Sequence, residues 1–330
     1  MEERRELHRK KFNIALRQQR GSSRYLFTPE KLRDYIDRVR QAQSTAGTKK
    51  EPKDYALLQK YDVRLVGSEY TLVKKSDAYC RYVDSEHLFD TIDQAHVRMC
   101  HRGEKNTHVE LKKSIANVTK SQIRLYLDYC TVCEENRQRR EKAKKRIERP
   151  ILSTQFGERG QMDLIDMRRH SSGGEYQYIF HYQDHFTKFS ILKPLRSKRA
   201  EEVAARLFEI FVAFGAPKIL QSDNGNEFVG APVKEMMRAY WPATQLVHGA
   251  PRYPQSQGSV ERANGVVENM LRCLARDSEV DDWSENLEKI QWAKNTCHHR
   301  VIQMAPYKAV FGQDPPVSMM NNNVSDISKI

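Results

Sequence analysis

Two sets of residues in this 330-residue chain have the types and spacing to hold metal ions. His96 and His101 are separated by four residues in HVRMCH, and after a further 28 residues Cys130 and Cys133 follow as CTVC. Two imidazoles and two thiolates make a closed tetrahedral shell of the structural kind. Borderline-soft Zn2+ accepts that mixture, whereas Mg2+ or Ca2+ would want oxygens. His108 and Cys100 are competing ligands, but neither reproduces a paired spacing with the other half of the site. The second set is acidic. Asp163 lies within QMDLIDM, Asp223 closes KILQSD, and Glu261 opens a helical stretch in PQSQGSVERANG. Carboxylates gathered at one edge of a sheet can hold two hard divalent cations about 4 Å apart. One activates an attacking water or hydroxyl and the other stabilises the leaving oxygen. Without a cation, carboxylates that close repel one another.

The elements that must position these residues can be read from periodicity. RYLFTPEKLRDYIDRVRQA carries a Thr-Pro-Glu helix start with Leu32, Tyr35, Ile36 and Val39 at helical spacing. QSTAGTKKEPK reads as a linker, and VRLVGSEYTLVKK alternates around Gly-Ser as a short hairpin does. Between 86 and 134, Leu111, Ile115 and Val118, then Ile123, Leu127 and Cys130, mark two short helices, the second opened by a Thr119-to-Gln122 capping box. So small a unit is expected to have little core of its own and to need a metal staple; structural zinc contributes on the order of 10 kcal/mol to such folding. From about 158 the pattern becomes β-β-β-α-β-α-β-α, the order of one mixed sheet with helices on its faces. On the helix that Glu261 opens, Val260, Ala263, Val267, Met270 and Leu274 form the buried stripe, and Glu261, Asn264 and Glu268 share an adjoining face. The tail from 317 to 330 reads as disordered.

Charge is distributed unevenly. Residues 1–150 hold 35 Lys and Arg against 22 Asp and Glu, so the whole net charge of +13 lies there, while residues 151–330 balance at 21 of each. The densest run is 136–149, ENRQRREKAKKRIE. A basic arm on a neutral body suits a polyanion, most often nucleic acid; a solvated linker helix is the other reading. The apolar fraction of 39% allows packed cores in two or three domains, and no run approaches the roughly 18 apolar residues of a membrane span. An N-terminus charged from its second residue is not the pattern of a secretory signal. Six scattered cysteines do not make a disulfide scaffold.

Five motifs in order, QMDLIDM, DHFTKF, SDNGNEF, PQSQGSVERANG and APYKAVFGQDPP, together resemble the catalytic core of retroviral-type integrases, specifically the Gypsy retrotransposon branch. The His-His-Cys-Cys block upstream looks like the zinc domain that precedes that core. The combination is also similar to Ginger-type DNA transposons and to host genes derived from Gypsy-like integrases. The resemblance covers 65–316, and the 37 residues between Asp223 and Glu261 are close to the family's gap between its second and third acids. It implies an α/β, RNase H-like fold: a mixed five-stranded sheet with flanking helices, preceded by a small helical zinc-binding domain. The implied division is 1–85, a basic helical extension with a short hairpin; 86–147, the zinc domain and basic linker; 148–316, the catalytic core; and 317–330, the tail.

The resemblance further implies a triad of Asp163, Asp223 and Glu261 binding Mg2+ or Mn2+, two ions in all, beside one structural Zn2+. Asp166 lies three residues after Asp163, so the two point to opposite faces of a strand. The family's first acid follows a Gln-hydrophobic pair, here Gln161-Met162, which selects Asp163. Gln257, Arg262 and Asn264, and more weakly Lys188, are implied DNA contacts. Gly265 suits either close approach of a DNA backbone or packing against a strand. The implied activity is metal-dependent processing of DNA 3′ ends and strand transfer, by a nuclear homo-multimer acting on element ends and target DNA. A domesticated, catalytically silent DNA- or chromatin-binding protein is the alternative; a plain nuclease shares the metal site but gives the zinc block no purpose. Integrases usually continue into a small β-domain or chromodomain, and because this chain stops at Ile330 without one, an altered target choice or a truncated chain is expected.

Overall fold

The computed structural model describes residues 2–18, 26–44, 51–66, 69–141, 152–170, 174–249, 258–277 and 282–315. They form two compact units, Met1–Ala143 and Lys144–Ile330.

The first unit begins with α1 (Glu2–Gln18), α2 (Pro29–Ser44) and α3 (Pro52–Lys60). An antiparallel sheet of β1 (Tyr61–Val66), β2 (Glu69–Lys74) and β3 (Asp77–Arg81) follows. Phe27, Val39, Leu57 and Leu72 are buried between that sheet and its helices, under the half-buried rings of Tyr35, Tyr61 and Tyr82. Four more helices complete the unit: α4 (Leu88–Arg98), α5 (Glu104–Lys112), α6 (Lys120–Asp128) and α7 (Thr131–Glu141). The capping box at the start of α6 is formed in full, with Thr119 and Gln122 satisfying each other's backbone N–H.

The expectation of two helices with little core does not hold. Phe89, Ile92, Leu111, Ile115, Val118, Ile123 and Tyr126 are buried together, and α1 adds Phe12 and Leu16 to the same cluster. The missing apolar surface thus comes from a helix some seventy residues upstream in sequence. Arg5 and Arg9 on α1 clamp it to α4 through Asp90 and Asp93 at 2.7–2.8 Å.

The second unit contains β4 (Arg159–Asp166), β5 (Tyr178–Asp184), β6 (Ser190–Leu195), α8 (Ala200–Phe214), β7 (Ile219–Ser222), α9 (Asn226–Val229), α10 (Ala231–Tyr240), β8 (Gln245–His248), α11 (Gly258–Asp277), α12 (Leu287–Thr296) and α13 (Pro306–Phe311). One sheet runs in the order β6-β5-β4-β7-β8. β4, β5 and β6 are antiparallel neighbours, and β4–β7 and β7–β8 are parallel. The fold is a mixed five-stranded sheet with flanking helices, as the motifs implied.

The two faces of this sheet differ. Met162, Phe180, Tyr182 and Leu195 meet Val203, Leu207, Phe211, Val233 and Met237 of α8 and α10 in an apolar core. On the opposite face Gln161, His181, Gln183 and Ser190 are all buried, a polar layer beside α11 and α12. α11 buries Val260, Ala263, Val267, Met270 and Leu271, and leaves Glu261, Gly265 and Glu268 exposed. The tail at 317–330 and most of the basic run lie outside the described residues.

Candidate metal centres

His96, His101, Cys130 and Cys133 converge, their ligand atoms all within 4.8 Å of one another. Cys130 Sγ is 3.7 Å from His96 Nε2 and 3.4 Å from His101 Nδ1; Cys133 Sγ is 3.2 and 3.9 Å from the same two atoms. Tetrahedral Zn2+ with ordinary bond lengths separates its S and N ligands by about 3.6 Å, so the spacing fits. Local structure explains the approach. α4 ends after His96, and Cys100 and His101 both take left-handed φ angles of 49° and 57°. The chain thereby turns back and sets the His101 ring at 82° to that of His96, 4.6 Å between centroids. Backbone strain of this kind at non-glycine residues persists where surrounding structure enforces it. Cys130 and Cys133 flank the start of α7, one turn apart.

Thr107 Oγ1 donates to the Arg102 carbonyl at 3.0 Å and lies 3.4 Å from His96 Nδ1, which leaves Nε2 to face the thiols. The Cys130 thiol is held far below its usual range, chiefly by the Cys133 thiol and also by His101 and His96, against the opposing effect of burial. A thiolate is the ligand form. His108 and Cys100 do not join the group.

The acidic residues come together differently. β4 and β7 pair in parallel as Arg159↔Ile219, Gly160↔Leu220 and Gln161↔Gln221. The same register carried two residues further sets Asp163 beside Asp223, just past the end of β7. Asp163 points to the α11 side of the sheet, where Glu261 opens that helix. The Asp163 carboxyl is pushed up to about 6, by burial first and then by the charges of Asp223 and Glu261; the Leu164 N–H and Asn264 oppose the shift. Asp163 and Asp223 are half-buried and Glu261 is exposed.

Asp223 Oδ1 accepts from Gly225 N–H at 2.9 Å. A Cβ at Gly225 would lie 2.7 Å from the Glu227 carboxylate and 3.0 Å from Asp223 Oδ1, so a larger residue there would have to displace the Glu227 side chain. Asp166 belongs to neither centre. It is exposed, bridged to Arg168 at 2.6 Å and held down to about 2 by that bond.

The residues implied as DNA contacts separate. Gln257 lies outside the described residues. Arg262 is exposed on α11. Lys188 takes a left-handed φ of 60° in the β5–β6 turn, and its Nζ donates to Ser259 Oγ at 3.2 Å. Burial, with help from Arg262, pushes it down to about 8 against the pull of Asp184. Asn264 is turned inward instead: its Nδ2 donates to Asp163 Oδ2 at 2.7 Å and its Oδ1 faces His181 Nδ1 at 2.5 Å. That corrects its reading as a DNA contact, since both ends of its amide are engaged within the protein. Sequence reasoning missed His181, whose place in an apolar-polar alternating strand gave it no distinguishing signal. The Gly265 alternatives also separate, because a Cβ there would meet nothing within 4 Å; packing against a strand is excluded.

No helix among the described residues is long and apolar enough to cross a membrane. No family model matches the chain. It is 33% identical over 324 residues, 96% of its length, to human KRAB-A domain-containing protein 2. It is 29% identical over 224 residues, 67% of its length, to the transposon Tf2-3 polyprotein of Schizosaccharomyces pombe. The chain spans 64% of the first of these relatives and 16% of the second. Among solved structures it resembles a chain of the simian T-cell lymphotropic virus intasome in complex with PP2A regulatory subunit B56 gamma, at a TM-score of 0.51 and 16% identity, over 71% of this chain and 77% of that one. In its ordered motifs, its transposon-polyprotein relatives and its fold, this chain is similar to the Gypsy-type integrases.

Proposed function

We propose that the chain is a polynucleotidyl transferase that processes DNA 3′ ends and joins them to target DNA. What supports this reading is the β4–β7 register, which sets Asp163 beside Asp223 on the side of the sheet where α11 begins at Glu261, and the raised Asp163 carboxyl, pushed up by burial first and then by the charges of Asp223 and Glu261. Such a set of hard oxygens fits Mg2+ or Mn2+, with Asp163 and Asp223 holding one ion and Glu261 completing a second. Bound there, divalent ions would lower the pKa of an attacking water and neutralise charge at a phosphodiester. The protein's own part is to fix three carboxylates and to hold the DNA so that attacking oxygen, phosphorus and leaving oxygen lie in line. Water first releases a 3′-hydroxyl, and that hydroxyl then displaces a 3′-oxygen of the target strand.

The His96–His101–Cys130–Cys133 set would hold one structural Zn2+. Arg262, Lys188 and Gln257 are the proposed DNA contacts near the acidic site, and the basic run at 136–149 would neutralise phosphates and serve nuclear import. Work at two DNA ends implies self-association.

A second reading is a domesticated DNA- or chromatin-binding protein without turnover. It is favoured by the relative that matches nearly the whole chain, a human protein named for a KRAB-A domain rather than a transposon polyprotein. Reversal of strand transfer on a branched DNA duplex tests the choice, since it needs the metal site but no particular donor end. Mn2+-dependent resolution of the branch by the wild-type chain is expected. Tight DNA binding with no such product would establish the silent reading.

A further inference from the structure

The polar layer on the α11 side of the sheet is costly to bury, and one chain of bonds in it ends on a proposed metal ligand. His181 on β5 is fully buried, opposite Asp163 in the β4–β5 ladder. Its Nδ1 is 2.5 Å from Asn264 Oδ1 and its Nε2 is 3.1 Å from Ser190 Oγ. Asn264 Nδ2 in turn donates to Asp163 Oδ2 at 2.7 Å. For a neutral ring one assignment satisfies every atom, with the Ser190 hydroxyl turned to the ring rather than to the Lys188 carbonyl 3.4 Å away. Asn264 must present its NH2 to the carboxylate, so its Oδ1 faces the ring and Nδ1 must carry the hydrogen. Nε2 is then the acceptor, and the Ser190 hydroxyl donates to it.

Ser190 is itself held in place. Its N–H donates to Asn295 Oδ1 at 2.9 Å, its carbonyl accepts from Asn295 Nδ2 at 2.7 Å, and Gln183 Nε2 donates to its hydroxyl at 3.1 Å. Burial, reinforced by Lys294, keeps the ring neutral, pushed down to about 3. A flipped Asn264 would set its NH2 against the Nδ1–H and its carbonyl against the Asp163 carboxylate, two mismatches in a buried place. The Asp163 carboxylate is fixed at both oxygens as a result: Oδ1 by the Leu164 N–H at 2.8 Å and Oδ2 by Asn264.

We infer that His181 is a positioning residue for the acidic centre, locking the amide of Asn264 and through it the carboxylate of Asp163. A branched aliphatic side chain would fill the same interior without needing two partners; the imidazole is there for its Nδ1–H. The inference rests on the reading of Asp163 as a metal ligand. Outer partners of this kind typically change metal affinity about 10- to 100-fold when removed.

The test uses the full chain with its His/Cys site loaded with zinc. In metal-free solution at neutral pH, 15N NMR of 15N-histidine-labelled protein should show His181 protonated at Nδ1 and bare at Nε2, the signal being assigned by its loss in His181→Asn. The opposite tautomer, or a charged ring, overturns the lock. Mn2+ titration followed by electron paramagnetic resonance then compares variants. His181→Leu should bind Mn2+ about 10- to 100-fold more weakly. His181→Asn, whose amide Nδ2 falls near the place of the imidazole Nδ1, should stay close to wild type. Equal binding by all three proteins, or equal weakening in Leu and Asn variants, overturns the positioning role. A wild-type chain with no Mn2+ site sensitive to Asp223→Asn would sink the metal-centre reading itself, and the positioning role with it.

Discussion

The two candidate metal centres are prepared in opposite ways. The four ligand atoms of the His/Cys set stand within 4.8 Å of one another. Among the described residues no acidic group of three is drawn together as closely, and burial first, then the charges of Asp223 and Glu261, push the Asp163 carboxyl up to about 6. One centre is closed, with its ligands supplied by two helix ends and a strained turn. The other is open, spread over the middle of β4, the end of β7 and a helix start, with Glu261 exposed. A closed shell suits an ion that holds a fold together, and an open one suits ions that must also hold substrate.

Chelation is the largest way to break this comparison. Structural zinc contributes on the order of 10 kcal/mol to a small unit, and here the helices it would staple share a core with α1. Stripping zinc should therefore melt α4–α7 together with α1, while the five-stranded sheet persists. Circular dichroism and limited proteolysis would follow both. Unchanged protease resistance of 86–134 after exhaustive chelation would remove the zinc assignment of His96, His101, Cys130 and Cys133.

The acidic centre should respond in the reverse sense. Asp223→Asn changes one charge and little volume, and the Gly225 N–H can still donate to the amide oxygen. Thermal stability and DNA affinity should barely move. Strand transfer should fall by about 10³-fold or more, the equivalent of losing several kcal/mol of charge stabilisation at the phosphodiester. Parallel loss of binding and catalysis would instead make Asp223 a structural residue.

The third effect concerns charge, which divides the chain as sharply as the ligands do. All of the net +13 lies in residues 1–150. Replacing Arg139, Arg140, Lys144 and Lys145 with Gln should lower the slope of log K against log salt by roughly 2 to 4, since each neutralised phosphate contributes about 0.9. Their side chains lie outside the described residues. An unchanged slope would make 136–149 a solvated linker and move the DNA surface onto the core.

What could be read from sequence follows from how local each signal is. CTVC and HVRMCH are short-range patterns, and Asp223 at a strand end followed by Asn-Gly is another. The capping box, α8 and the succession of strands and helices along the core were equally legible from periodicity. Three features were not. Phe12 and Leu16 are two apolar residues in a strongly charged helix, and nothing local says that they complete a core built from 83–130. β5, YIFHYQD, alternates apolar with polar from Phe180 to Gln183, a pattern that alone does not mark the polar side as buried, yet every residue in it is buried because a second helical layer covers its polar face. The role of Asn264 depends on a partner 101 residues away, so the family resemblance pointed it at DNA while its amide serves Asp163.

The smallest predicted effect is the sharpest about the open centre. Gly265 sits one turn after Glu261, in the interior of α11, at a cost of about 1 kcal/mol relative to alanine. No φ requirement explains it, since it is absent from the glycines with positive φ, and among the described residues no neighbour crowds it, since a Cβ would meet nothing within 4 Å. Within the chain alone, Gly265→Ala should therefore stabilise the core by about 0.5–1 kcal/mol, a rise in Tm of a few degrees. If the bare stripe beside Glu261 and Arg262 exists to let a DNA backbone approach the helix, the same methyl should weaken DNA binding while it raises Tm. Opposite signs from one methyl group would mark this face of α11 as the DNA side of the open centre. A rise in Tm with unaltered binding would instead clear Gly265 of that role and leave Arg262 and Lys188 to define the surface.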